Sequence, residues 1–475
     1  MRTRLAALAA VAVAAGCGGA SAGGRPQSAP PAPAPATTAS TPAHASAVAV
    51  SWPQFGGGAA RLSSIGPIGI SAPARLHAQR VSLPGVVDSA PVYAGGKFVM
   101  TTTYGRAVAV NAKTGKVAWT FTPASYDGLK GTYRITNASP ATDGAFVYSG
   151  SPDGRVYKLR LSDGRPVGGR WPVRITKLPE REKLTPSFGI VGTRLMVGTD
   201  GYIGDQPPYQ GHLVAIDTAS GRIAGVTNSL CANRHRIIAP SSCGSTQSAF
   251  WSRSGAVRMA DNTWLFATGN GPFNGSTDFG DSVIRVSGDA RHILGTWTPS
   301  NQAQLKAGDT DVGSTGPVLI GGGSILQSGK DGRLHVFGLS ALHRHTVGHE
   351  RQDLPAVGGA MFTAPAVWHE HGQTWVFTTT GGGTAAYKQI GGRLHRRWAN
   401  GTAGTSPLVA GGLLYVFDPG GSLVVYRANT GRVVARLPAS GGHWNSPAPG
   451  PGVIALPVGN ANDHSTNGTL YLYRR

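Results

Sequence analysis

Residues 89–119 read SAPVYAGGKFVMTTTYGRAVAVNAKTGKVAW, and this stretch decides the fold. An apolar strand start is followed by a Gly-Gly turn, a short Val-rich strand, a second strand and a Thr-Gly turn. Residues 405–437, TSPLVAGGLLYVFDPGGSLVVYRANTGRVVARL, repeat the pattern, and looser copies lie between and after them. A repeat of about 40–50 residues built from short strands predicts a β-propeller.

The repeat divides most of the chain into units of similar length. We count eight of them, at residues 86–122, 135–176, 183–228, 245–299, 311–348, 358–400, 402–438 and 444–475. The last unit has room for only three strands, and residues 75–83 (RLHAQRVSL) alternate like a strand before the first unit. We therefore predict an all-β, eight-bladed propeller whose ring is closed by this N-terminal strand in the last blade, which removes open sheet edges. One misread insertion would reduce the count to seven.

Glycine pairs and late tryptophans recur at fixed places in the units. The glycines stand where hairpins require a positive φ. Four tryptophans follow the second strand of a unit or its turn, at Trp119, Trp171, Trp297 and Trp398. We expect them to pack between neighbouring blades.

The N-terminal residues have the features of an export signal. Residues 5–15 form an apolar run that is too short to span a bilayer, which requires about 20 residues. The run ends at AAGC, which resembles the lipobox of bacterial lipoproteins, although Ala14 replaces the usual Leu. We expect residues 1–17 to be a signal peptide and Cys17 to be lipidated; the alternative is a plain secretory signal cut near residues 20–22.

Residues 18–51 consist mainly of Ala, Pro, Gly, Ser and Thr and cannot bury a core, so they predict a disordered tether. The propeller then occupies residues 52–475. We expect an extracytoplasmic protein that is anchored to the membrane through lipid alone, or else one that is secreted or periplasmic. In such an oxidising compartment Cys231 and Cys243 would form a disulfide; two unpaired thiols are the alternative.

The net charge of +21 raises the question of nucleic-acid binding. The positive charges are mostly arginines spread singly through the units, without a basic run or a recognition helix. We therefore expect no nucleic-acid partner, and instead a loose, salt-sensitive attraction to anionic polymers or lipids of the cell envelope.

The first unit resembles the pyrroloquinoline quinone (PQQ) repeat, with its Pro-Val start, its Gly-Gly pair and the run A-x-N-A-x-T-G-x-x-x-W. WPQFGG at residues 52–57 is similar to a segment that often precedes such propellers. The PQQ repeat occurs in quinoprotein dehydrogenases and also in non-enzymatic propellers such as outer-membrane assembly lipoproteins. The resemblance therefore predicts the fold rather than an activity.

The fourth and fifth units are similar to the corresponding blades of PQQ-dependent alcohol and polyvinyl-alcohol dehydrogenases. The resemblance implies that Asn270, in a T-G-N turn, is a Ca²⁺ ligand and that Trp251 stacks under the quinone. It also implies that Asp309 or Asp311 is the catalytic base and that Lys330 contacts the cofactor. These residue types suit the chemistry: Ca²⁺ prefers oxygen ligands, a carboxylate accepts the alcohol proton, and indole offers a flat face to a flat ring.

The chain also departs from that family. The dehydrogenases supply a Glu from the third blade to Ca²⁺, whereas here Asp205 is the nearest acid, and we expect it to take that place as the second metal ligand. A vicinal cysteine pair and a C-x-x-C-H haem motif are both missing from the sequence. We therefore expect mainly a ligand-binding, protein-binding or scaffold propeller of the cell envelope, with an envelope protein or a glycan as partner. The alternative is a PQQ/Ca²⁺-dependent dehydrogenase of a small alcohol.

Overall fold

A computed structural model describes residues 49–204 and 206–475. The predicted signal peptide, Cys17 and residues 18–48 of the tether lie outside the described residues, as does Asp205. The described chain is an eight-bladed β-propeller, as predicted, and each blade is a sheet built on four antiparallel strands. No helix in the described part has the length and hydropathy that crossing a bilayer requires.

The blades follow one another along the chain. The strands of the first four blades are Val92–Ala94, Lys97–Thr101, Ala107–Asn111 and Val117–Phe121 in blade 1; Ala141–Thr142, Phe146–Ser151, Arg155–Arg160 and Val173–Arg174 in blade 2; Gly189–Val191, Arg194–Gly198, His212–Asp217 and Ile223–Asn228 in blade 3; and Val257–Arg258, Trp264–Ala267, Val283–Val286 and Ile293–Thr298 in blade 4. The strands of the last four blades are Val318–Leu319, Ser324–Ser328, Arg333–Gly338 and Gln352–Pro355 in blade 5; Ala366–Glu370, Gln373–Thr380, Gly383–Ile390 and Arg393–Asn400 in blade 6; Leu408–Ala410, Leu413–Asp418, Ser422–Arg427 and Val433–Pro438 in blade 7; and Ala448–Gly450, Val453–Val458, Gly468–Arg474 and His77–Leu83 in blade 8.

Short elements complete the fold. Glu182–Lys183 pairs with Asp200–Gly201 as a small separate sheet before and within blade 3. The helical segments are the α-helices Tyr126–Leu129 and Gln302–Gly308 and the 3₁₀ helices Pro73–Arg75, Pro240–Ser242, Leu339–His343 and Ala461–Asp463.

The two ends of the propeller meet in blade 8, which confirms the predicted ring closure. His77–Leu83 pairs antiparallel with Gly468–Arg474 over seven consecutive residue pairs. Both edges of this blade's third strand are therefore occupied, and backbone hydrogen bonds join the N-terminal and C-terminal strands of the ring.

The predicted end of the fifth unit at residue 348 is wrong. The fourth strand of blade 5 is Gln352–Pro355, whereas His345–Val347 adds to the outer strand of blade 4 in parallel orientation. The 3₁₀ helix Leu339–His343 follows the third strand of blade 5 and directs the chain toward blade 4. The first strand-like segment after this helix therefore pairs with blade 4. Alternation of residue types in a three-residue segment does not distinguish between the two sheets.

Tryptophans join neighbouring blades, as predicted. The indole Nε1 of Trp119 in blade 1 donates to the carbonyl of Leu161 in blade 2 over 2.9 Å. A Cβ placed on Gly164, whose φ is +74°, would lie 2.5 Å from that indole, so the turn glycine is required both by its backbone and by its neighbour. Trp398 and Gly431 repeat this arrangement between blades 6 and 7.

Residues 52–65, which we call the strap, cross the ring before the first blade. The strap makes hydrogen bonds to blades 1, 2, 3, 4, 6 and 7. Trp52 pairs with blade 1, the Gln54 side chain accepts from blade 3, and Ser64–Ile65 adds in parallel to blade 7. A segment that contacts so many blades lies close to the propeller axis and ties them together.

Arg61 is a buried residue of the strap whose side chain binds backbone carbonyl groups. Its side chain is almost fully enclosed, and it donates to the carbonyls of Phe55, Phe188 and Ala256 at 2.9, 2.9 and 3.2 Å. Burial lowers the pKa of Arg61 to about 9. The guanidinium thus joins the strap to the segments that lead into blades 3 and 4.

Candidate functional site

A cavity of about 490 Å³ lies where segments from several blades converge. Most of its lining comes from chain that leads into the first strand of a blade, which is the inner rim of the ring. The lining residues are Lys183, Thr185, Ile203, Gly204, Trp251, Arg253, Asp309, Ser314, Lys330, Phe362, Trp444 and Asn462. Three residues predicted from the sequence, Trp251, Asp309 and Lys330, are therefore brought together in one cavity.

Asn270 and Asp311, the other two predicted residues of the described chain, lie directly behind this lining. The Lys330 ammonium is 2.9 Å from Oδ1 of Asp309 and 3.4 Å from Oδ2 of Asp311. Nδ2 of Asn270 donates to the same Oδ1 of Asp309. We call these four residues the acidic end of the cavity.

The two aspartates of the acidic end differ in exposure. Asp309 follows the helix Gln302–Gly308 with φ +50°, a left-handed conformation that Asp tolerates, and its side chain is 62% exposed. The side chain of Asp311 is fully buried, and Ser314 Oγ donates to its Oδ1 over 2.9 Å. Asp309 alone is thus open to a molecule in the cavity.

Several buried oxygens near the acidic end have few or no donors. Oδ1 of Asn270 and Oδ1 of Asp281 accept no hydrogen bond within the described part of the chain, and Oδ2 of Asp311 faces the Lys330 ammonium at 3.4 Å. A buried oxygen left without a donor costs roughly 1–3 kcal/mol. A hard cation prefers such amide and carboxylate oxygens, so the residues present fit a Ca²⁺-like ion.

Burial also opposes the negative charges. It raises the pKa of Asp311, although Lys330 acts in the opposite direction. It raises the pKa of Asp281 to about 8, with a further contribution from the charge of Asp311. Asp281 was not found from the sequence; the only available signal was its position eleven residues after Asn270. A bound cation would favour the charged form of both carboxyls.

Trp251 rests on the T-G-N turn. A Cβ added at Gly269 would lie 2.5 Å from Cδ1 of this indole, so glycine permits the close approach. The ring of Tyr209 contacts the indole edge-to-face at 6.3 Å between centroids. The indole is therefore fixed in place, and it offers an aromatic wall to the cavity.

The described residues that line the cavity include no third-blade carboxylate of the kind that the dehydrogenases supply. Asp205, assigned from the sequence as a metal ligand, lies outside the described residues. Glu182 is fully buried and is engaged with His212, whose Nε2 is 3.0 Å from Oε1. Within residues 49–204 and 206–475, no three His, Cys, Asp or Glu side chains are grouped to hold a metal ion. A cation at the acidic end would therefore be coordinated by Asn270, by Asp309 and Asp311, and by oxygens of the ligand itself.

The predicted disulfide is present between Cys231 and Cys243. Neither cysteine lines the cavity. The disulfide closes a loop after blade 3 and takes no part in the candidate site.

Comparisons with known proteins agree with this architecture. The PQQ_2 family model, described as outer membrane protein assembly factor BamB, matches residues 78–242, which extend over blades 1 to 3. No match was found among the curated protein sequences. The resemblance to PQQ-repeat propellers that was predicted from the sequence is therefore confirmed, whereas the lipoprotein assignment stays a prediction.

Solved structures of similar fold include both enzymes and an assembly factor. Quinohemoprotein alcohol dehydrogenase ADHIIG from Pseudomonas putida HK5 is 14% identical, with a TM-score of 0.68 over 89% of this chain and 80% of that one. A europium-containing methanol dehydrogenase is 14% identical, with a TM-score of 0.66 over 90% and 98%. BamB from Moraxella catarrhalis is 12% identical, with a TM-score of 0.51 over 84% and 98%. At these identities the likeness concerns the fold.

Proposed function

We propose that the cavity binds a flat, polyanionic quinone of the PQQ type together with a hard cation, and that the protein oxidises a small alcohol. The observation that carries this proposal is the convergence of unpartnered buried oxygens with Trp251 and Lys330 at one cavity. The similarity of fold to two alcohol-oxidising dehydrogenases supports the same choice.

The cation would bind to Oδ1 of Asn270 and Oδ2 of Asp311. Oδ1 of Asn270 is buried and has no donor among the described residues, whereas the buried Oδ2 of Asp311 has the Lys330 ammonium at 3.4 Å as its counter-charge in the described chain. When bound, the quinone supplies the hydride acceptor and the cation polarises its carbonyl group. Ca²⁺ fits these ligands, and the similar fold of a europium-containing methanol dehydrogenase makes a lanthanide the second cation to test.

Asp309 is the residue that we assign as the general base. Its carboxylate faces the cavity, while Lys330 and Asn270 hold Oδ1 and leave Oδ2 available for the hydroxyl proton of an alcohol. Asp311 is unsuitable for this role because its side chain has no exposed surface. Trp251 would hold the ring system in plane and exclude water from one face.

The test begins with retention of the cofactor. The full chain is incubated with PQQ and Ca²⁺, or with PQQ and Eu³⁺, passed over a gel-filtration column, and examined for quinone absorbance and dye-linked alcohol oxidation. Asn270→Ala and Asp311→Asn should each weaken retention at least tenfold, whereas Asp127→Asn, a change of an exposed aspartate, should not. If micromolar PQQ is retained neither with Ca²⁺ nor with Eu³⁺, the proposal is refuted.

A binding or scaffold role at the cell envelope is the second candidate. The match of blades 1 to 3 to the BamB description favours it. In that case an envelope protein or a glycan would contact the outside of the ring, and variants of the acidic end would not affect the binding of this partner. For both candidate functions we propose that the protein is located outside the cytoplasm.

A further inference from the structure

A stacked column of three side chains lies beside the cavity. The guanidinium carbon of Arg253 is 3.2 Å from the ring centroid of Trp444, and the His443 ring stacks on the same indole at 3.7 Å. Two groups at such short distances cannot share one face of a ring, so the indole is sandwiched between them. Trp444 and Arg253 both line the cavity.

Asp88 anchors this column from blade 1. The carboxylate is fully buried and accepts from Nδ1 of His443 over 2.8 Å and from the backbone N–H of Trp444 over 2.9 Å. Nδ2 of Asn137 donates to it as well, over 2.9 Å. Segments of blades 1, 2 and 8 therefore hold the indole against which Arg253 of blade 4 stacks.

The two cations next to this column have no hydrogen-bonded or ion-paired side chain among the described residues, although two carboxylates lie near them. Neither the guanidinium of Arg253 nor the ammonium of Lys183 makes a hydrogen bond or an ion pair with any described residue, and Lys183 is only 5% exposed. Lys330, by contrast, is engaged with Asp309 and Asp311. One face of the Arg253 guanidinium is covered by Trp444, which leaves the N–H groups at its edge for a planar acceptor.

The lowered pKa values of the two cations indicate that their positive charges are not fully compensated. Burial lowers the pKa of Lys183 to about 8 and that of Arg253 to about 10. The nearby carboxylates of Asp88 and Asp200 act in the opposite direction but do not offset the burial. A negatively charged ligand bound beside Arg253 and Lys183 would compensate their buried positive charges.

We infer that Arg253 and Lys183 form a carboxylate-binding end of the cavity, which selects planar aromatic acids over neutral molecules of the same shape. The column orients the guanidinium edge, and Trp251 supplies an aromatic wall in the same cavity. The inference rests on the proposed function in one respect: the carboxylates of the proposed quinone would bind to Arg253 and Lys183. Its test, however, requires neither a quinone nor a metal.

The test uses the full chain in EDTA and compares 2-naphthoate with its neutral isostere 2-naphthamide, by calorimetry and by quenching of tryptophan fluorescence. The wild type should bind the acid about tenfold to a hundredfold more tightly, as expected for a charge-assisted hydrogen bond. Arg253→Gln should remove this preference, and Arg253→Lys should retain part of it. Arg397→Gln, a change on the exposed outer strand of blade 6, should leave it intact.

Equal affinities for acid and amide in the wild type would overturn the inference, and so would an undiminished preference in Arg253→Gln. If Arg253→Gln fails to fold, Lys183→Met decides: the preference should fall at least threefold, and an unchanged preference overturns the inference. The two proposals fail separately. Loss of PQQ retention with an intact naphthoate preference refutes the proposed cofactor alone, and the reverse result refutes the carboxylate-binding end alone.

Discussion

The ammonium of Lys330 lies 2.9 Å from Oδ1 of Asp309, and this contact joins the hairpin of blade 5 to the segment that enters the same blade. The same ammonium is 3.4 Å from the buried Asp311. One cation thus serves an exposed and a buried carboxylate, and the behaviour of the acidic end depends on it.

Lys330→Met should therefore damage both stability and ligand binding. Asp311 would lose its nearest positive charge, so we expect the free energy of unfolding to fall by about 1–3 kcal/mol and PQQ retention to weaken at least tenfold. Urea unfolding and gel filtration measure the two effects. Lys130→Met is the matched control because its ion pair with Asp127 is exposed, and such pairs contribute about 0–1 kcal/mol. Equal losses in the two variants would contradict the role given to Lys330.

The pH dependence of stability should reveal the buried carboxyl groups. The pKa of Asp281 is about 8 in the folded chain, above its ordinary value of 3.8, so the folded state binds more protons than the unfolded state between these limits. In EDTA, its contribution to the free energy of unfolding is therefore complete below about pH 4 and is lost as the pH rises to 8 and beyond. Asp281→Asn should reduce this loss by on the order of 2–4 kcal/mol.

Urea midpoints at pH 5 and pH 8 for the wild type and the variant provide the measurement. Added Ca²⁺ should reduce the difference between the two pH values in the wild type, because a cation favours the charged form. If the wild type and Asp281→Asn show the same pH profile, the pKa of Asp281 is not raised in the folded state.

The contact between Trp119 and Gly164 should be sensitive to a single methyl group. Gly164→Ala places a Cβ against the indole at a residue with φ +74°, and we expect a loss of about 2–4 kcal/mol in the free energy of unfolding. Gly168→Ala, four residues later, meets open space and should cost about 1 kcal/mol or less. Chemical unfolding of both variants gives the comparison, and similar values would show that the indole moves aside.

Arg61 should contribute to stability without contributing to binding. Arg61→Met leaves three carbonyl oxygens without their donor, so we expect a loss of about 2–4 kcal/mol. Arg75→Met, at an exposed position, is the control. The melting temperature reports the loss, and 2-naphthoate affinity at a temperature where both variants are folded should not change. A parallel fall in affinity would mean that the strap also shapes the cavity.

Cys17→Ser tests the predicted lipid anchor. If Cys17 carries acyl chains, the wild type should sediment with membranes and the variant should move to the soluble fraction. Mass spectrometry of the N-terminal peptide should show the added acyl mass. An unmodified Cys17, or a mature chain that begins after it, would contradict the lipoprotein prediction.

The fold followed from local sequence because each blade carries its own turn glycines, and His77–Leu83 was recognisable by an alternation that had no partner nearby. The acidic end was accessible through family resemblance, since Asn270, Asp309 and Lys330 lie in recognisable turns. The end of blade 5 was misplaced because His345–Val347 looks like any short strand. Arg253 and Trp444 were missed as a pair because blades 4 and 8 bring them together only after the ring has closed, and no spacing in the sequence encodes that contact.

The pairing of His77–Leu83 with Gly468–Arg474 also sets an order in time. A ribosome makes the first of these strands long before its partner, and at roughly 5–20 residues per second the interval is about 20–80 s. Throughout that period the early strand has an unpaired edge, and a pairing this distant along the chain is slow to form. The residues of this strand that remain exposed in the folded chain are His77, Arg80 and Ser82, and such polar side chains on a waiting edge strand discourage association with other nascent chains.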